Sequence, residues 1–133
     1  EKVKNGEPHK MEEVKWFIQR GRRGYADCDW WNVNCYLVKI ILPMLKTLKE
    51  NKHGHPVDLT EEVWDEKLDT MIEGFEAAQR VLDDDYYKIV SPDFPEKPTK
   101  KEVHQWGIMS RHDQRIFRKN MKCFIDYFFN LWD

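Results

Sequence analysis

Carboxylates are the residues best placed to do chemistry. Glu62, Asp65, Glu66 and Asp69 follow one another at spacings of three, one and three, which gathers them on one side of a helix. Four such groups suggest Mg²⁺ chemistry, and the alternative function they imply is metal-dependent nucleotide pyrophosphohydrolysis. Magnesium needs oxygens converging at about 2.1 Å, so a second carboxylate pair must come from another helix. Glu12-Glu13 and Asp83-Asp84-Asp85 do not repeat the spacing, and the constellation is incomplete. His53 and His55 could chelate zinc with outside help, and His112-Asp113 offers another pair. Zinc sites take three or four ligands, and no cysteine stands near these histidines in sequence. The simpler account puts His53 in the last turn of a helix, where it favours the dipole, and leaves His55-Pro56 as turn chemistry. Cys28, Cys35 and Cys123 form no CxxC pair and have no histidine at a nucleophile spacing; they read as reduced, buried small side chains. No catalytic residue, resident metal or cofactor is expected.

Binding chemistry concentrates in Arg20-Gly21-Arg22-Arg23-Gly24-Tyr25-Ala26-Asp27-Cys28-Asp29-Trp30-Trp31-Asn32. As architecture, Asp27 or Asp29 caps the helix that follows, one of Arg20, Arg22 and Arg23 pairs with a carboxylate, and a tryptophan closes the bundle end. As a contact surface, Arg, Tyr25 and Trp31 are the residue types that dominate binding hot spots. Adjacent helical residues point about 100° apart, so one of Trp30 and Trp31 is expected to stay peripheral. The arginines and rings could also stack on a nucleotide, but no phosphate-binding glycine loop accompanies them.

The elements that must position these groups are helical almost throughout. Met11, Val14, Phe17 and Ile18 mark a first helix, with Gly21 and Gly24 available to stop it. Trp30, Val33, Leu37, Ile40, Ile41, Met44, Leu45 and Leu48 mark a second, with a kink expected at Pro43. Thr60 caps a third, striped by Trp64, Leu68, Met71, Ile72, Phe75, Ala78 and Leu82. Residues 91–109 form a proline-rich insert, within which Thr99-Lys100-Lys101-Glu102 opens a short helix that Gly107 ends. Ser110 to Asp113 then opens a last helix carrying Phe117, Met121, Phe124, Ile125, Phe128, Leu131 and Trp132, its C-terminal end apolar nearly all round and in need of burial on every side. The fold class is therefore all-α, a single-domain bundle of four main helices plus one short helix.

Two charged stripes complete the pattern: acidic Glu62, Glu66, Asp69, Glu73 and Glu76, and basic Arg111, Arg115, Arg118 and Lys122. Each lies about 200° from its helix's apolar stripe, so each is a solvated face or, more sharply, a docking face for a partner or a second copy. The chain of 133 residues suits one domain, and its 14% aromatic content lets large rings supply the core. A net charge of −2 argues against steering to nucleic acid. No apolar run approaches the ~20 residues of a membrane span, no charged-then-apolar leader is present, and the cytoplasm is the expected location.

Four segments together carry a resemblance: Arg23 to Asn32, Leu42-Pro43-Met44-Leu45, His53-Gly54-His55-Pro56 running into Leu59 to Asp65, and Tyr127 to Asp133. As a set they resemble a family of small, largely uncharacterised bacteriophage and prophage proteins. The resemblance implies an accessory phage product in the bacterial cytoplasm. It would bind and inhibit a host protein or immune signalling molecule, as anti-CRISPR and other anti-defence proteins do. Self-assembly through Phe124, Phe128, Phe129 and Trp132 is a third possibility.

Overall fold

Thr60 accepts the Val63 backbone N–H at 3.3 Å and starts helix α3, Glu61–Asp83, where the sequence places it. Every residue of its expected stripe from Trp64 to Ala78 is buried, and Leu82 is half-buried. Asp84 ends the helix in the left-handed conformation at φ 48°, its N–H bonded to the Arg80 carbonyl. Four further helices complete the set: α1, Lys10–Arg23; α2, Val33–Asn51; the short α4, Tyr87–Val90; and α5, Lys100–Asp126. Three-residue-per-turn helix occupies Asp27–Asn32 and Phe128–Asn130. This computed structural model describes residues 10–90 and 97–133, and among them no strand occurs. The protein is all-α, and among the described residues it has four main helices and one short one; the short one is α4, not the helix expected to open at Thr99. His9, the start expected near Pro8 and the prolines of 91–96 lie outside the described residues.

Two expected boundaries are overturned. Thr99 caps the helix, accepting the Glu102 N–H at 3.2 Å, and its hydroxyl donates to the Glu102 carboxylate at 2.9 Å in place of the reciprocal backbone bond of a capping box. The helix it opens is not short, for α5 runs through Gly107 to Asp126. Ser110 and Asp113 are therefore helix interior, and the Ser110 hydroxyl accepts from Gln114 instead of capping. A lone helical glycine costs only about 1 kcal/mol against alanine, which packing of the rest of the helix offsets. Helix α2 continues through Pro43 as one helix, Val33–Asn51.

The chain divides between Leu37 and Val38 into two compact units, the division falling inside α2. In the second unit the core is Val38 and Leu45 of α2 with Trp64, Leu68, Met71, Ile72, Phe75 and Ala78 of α3, lined by Phe117, Met121 and Phe124 of α5. Helices α3 and α5 approach closely at Gly74, where a Cβ would lie 2.8 Å from that of Asn120. Asn120 is buried there and donates to the Thr70 carbonyl at 2.9 Å, which ties the crossing in register. Phe75 meets Phe124 and Phe117 edge-on at centroid distances of 5.1 and 6.2 Å. Beyond Phe124 the expected all-round burial fails. Ile125, Phe128, Phe129 and Trp132 are all more than half exposed.

Candidate functional site

Helix α1 ends one turn after Arg20, whose carbonyl accepts the Gly24 N–H at 2.9 Å. Gly24 takes φ +85°, a conformation that side chains disfavour, and this reverses the chain into the turn Asp27–Asn32. Tyr36 at the start of α2 donates its hydroxyl to the Gly24 carbonyl and ties the two helices' ends together. The turn then lies along one side of α1, the side bearing Lys15, Trp16, Gln19, Arg20 and Arg23.

Three polar pairings hold it. Arg20 grips Asp29 with both ends of its fork, Nε to Oδ2 at 2.9 Å and Nη2 to Oδ1 at 2.8 Å. Asp29 is only 9% exposed and also accepts the Ala26 N–H at 2.7 Å. These bonds, Arg20 first, outweigh burial and lower its pKa to about 2. Gln19 and Asp27 bond reciprocally, amide nitrogen to carboxylate and backbone N–H to amide oxygen, each at 2.9 Å. Arg23 reaches the other Asp27 oxygen, donates to the Tyr25 carbonyl and lies 4.5 Å over the Tyr25 ring. The Gln19 bond and then Arg23 hold the Asp27 carboxyl below its usual range. Arg22 is exposed and makes no ion pair among the described residues.

The junction thus brings together Arg20, Arg23, Tyr25, Asp27 and Asp29 as expected, with two corrections. Neither aspartate caps α2, since both belong to the preceding turn and Asp29 satisfies the N–H of Ala26. Nor does a tryptophan close a bundle end. Trp30 and Trp31 are 59% and 60% exposed, edge to face with one another, and Trp31 meets Trp16 the same way. Gln19 was missed, although its place four residues before Arg23 puts both on one helix face.

The opposite side of α1 is bare. Met11, Val14, Phe17 and Ile18 centre about 160° from the side that holds the turn, and they are 74%, 57%, 78% and 45% exposed. No residue of α1 is buried. The helix spends its polar side internally and presents its apolar side outward, the reverse of a core helix.

The remaining predicted residues stay apart from this corner in the sequence and fall in the second unit. His53 lies beyond the end of α2 rather than in its last turn, and its backbone N–H and ring Nδ1 bond the two oxygens of Asp133 at 2.6 and 2.7 Å. His55 Nδ1 bonds the Pro56 carbonyl. Both line or adjoin a cleft of about 240 Å³ walled by Gly54, Pro56, Trp64, Asn130 and Trp132. Arg111, Arg115 and Arg118 are exposed on α5 and form no ion pairs among the described residues. The alternative metal set does not assemble. Lys52 pairs with Asp65 at 2.6 Å, Lys49 with Asp69 at 2.6 Å, and Glu62 and Glu66 remain at the surface. Among the described residues no three His, Cys, Asp or Glu converge as ligands would. Of the acidic stripe, Asp69 and Glu76 pair with lysines of α2, the second with Lys46 at 3.0 Å, and Glu62, Glu66 and Glu73 are exposed.

No family model, curated protein or solved structure matches this chain. The geometry of the corner therefore carries the functional reading. No helix among the described residues is long and apolar enough to cross a membrane.

Proposed function

We propose that this protein is a non-enzymatic binding protein that inhibits a bacterial host protein, with the α1 corner as its contact surface. The carrying observation is the inverted α1, whose polar side is locked to the turn while Met11, Val14, Phe17 and Ile18 stand bare. A rigid corner presenting Phe17, Tyr25, Trp30 and Trp31 supplies large rings at low ordering cost, the usual currency of a binding hot spot. Lys10 and Arg22 flank the apolar stripe, Arg22 without an ion pair among the described residues, so the complementary surface is an apolar groove with an acidic rim. The resemblance to phage proteins supports a host protein as the occupant.

The test is affinity capture from host lysate with wild type, Phe17→Asp, Trp31→Ala and Arg22→Glu, followed by assay of the captured protein's activity with and without the chain. The reading expects one host protein lost on Phe17→Asp and Trp31→Ala, weakened on Arg22→Glu, and inhibited in proportion to binding. Capture indifferent to all three variants overturns it. So does a stripe that binds only lipid vesicles or a second copy of the chain.

A further inference from the structure

The second unit carries a cleft of about 400 Å³ formed by the end of α3, α4 and the middle of α5. Ile89 and Ile108 give it an apolar wall, both substantially exposed, while Arg80 and Arg115 stand on its polar side with His112 nearby in the lining. Beneath them lies a buried network. Asp113, 6% exposed, accepts Arg80 Nε at 3.1 Å, Arg80 Nη2 at 2.9 Å and the hydroxyl of buried Tyr86 at 2.7 Å. The carboxylate is thereby occupied, and its charge cancels that of one arginine. Half of the Arg80 side chain remains exposed, and Arg115 is exposed and forms no ion pair among the described residues. Among the residues that line the cleft, two guanidinium groups stand against one carboxylate.

A buried ion pair adds little net stability over an apolar replacement of the same volume. What this one does is fix the direction of a guanidinium that borders an open, apolar-walled space, which is how a binding group is pre-organised. We infer that the cleft binds an organic monoanion, a compact apolar body bearing one carboxylate or sulfonate. The head group sits between Arg80 and Arg115, and the body lies on Ile89 and Ile108. Asp113 and Tyr86 act as positioning residues for Arg80.

The probe is anilinonaphthalene sulfonate, with uncharged phenylnaphthylamine as the same ring system without the anion. Fluorescence titration of the full chain is expected to show saturable sulfonate binding that Arg115→Glu weakens by at least about tenfold, the loss of one charge-assisted bond. Phenylnaphthylamine affinity is expected to be unchanged by Arg115→Glu, and Ile108→Asp should weaken both compounds. Arg115 and Ile108 are exposed, so neither variant threatens the fold. Sulfonate affinity that ignores Arg115→Glu overturns the inference. Loss of binding in Phe17→Asp also overturns it, by placing the probe on the bare stripe of α1.

Discussion

Replacing Asp29 with asparagine keeps the shape of the side chain and removes the charge that Arg20 grips, and the structure sets how much that is worth. The fall of the Asp29 pKa from its ordinary 3.8 to about 2 corresponds to roughly 2.4 kcal/mol, at about 1.36 kcal/mol for each tenfold change in proton affinity. Asp29 itself is buried, but the Arg20 side chain is 39% exposed, so solvent screening brings the expected loss to about 1–2 kcal/mol. The effect is local, because the bonds lost belong to the turn at Ala26–Asp29. Amide hydrogen exchange followed by NMR reads it directly. The Ala26 amide, whose acceptor is the Asp29 carboxylate, and the Asp29 amide, bonded to the Ala26 carbonyl at 3.0 Å, should exchange about 5–30-fold faster in Asp29→Asn. Amides of α3 should not change. Because the folded pKa is depressed, the stabilisation is complete at pH values well above 3.8 and is lost as pH falls toward 2. Wild-type exchange at Ala26 should therefore approach the variant's in that acid window. Unaltered exchange at Ala26 and Asp29 in the variant would refute the reasoning, since the corner would then be held by something other than this pair.

Three further perturbations probe the second unit. Gly74→Ala drives a Cβ to within 2.8 Å of the Asn120 Cβ, which no flexible tip can yield to; calorimetry should show a loss of about 1–3 kcal/mol despite the helix propensity gained. Asp113→Ala strands the Tyr86 hydroxyl and the Arg80 fork and should cost about 2–4 kcal/mol by denaturant unfolding. Tyr86→Phe, which removes one bond only, should cost about 1 kcal/mol. Thr60→Ala removes the cap of α3 and should lower stability by about 1 kcal/mol in the same assay, with Thr60→Ser close to wild type.

Local physics determined much of this protein from its sequence alone. The Thr60 and Thr99 caps and the core stripe from Trp64 to Ala78 follow from hydrogen bonds and periodicities that span three or four residues, and they stand where the chain places them. The junction of Arg20 to Asn32 was legible as a charged, aromatic corner for the same reason. Which arginine would take which aspartate was not, because Arg20, Arg22 and Arg23 are alike in type and only the reversal at Gly24 brings Asp29 to the first and Asp27 to the third. Gly107 reads as a stop by propensity, but its cost is small beside the packing that carries α5 through it. Most decisively, the stripe on α1 looks like a core face, since spacing shows that apolar residues share a side but not what that side meets. Tertiary structure decided that the polar side of α1 takes the turn, and so left the apolar side bare.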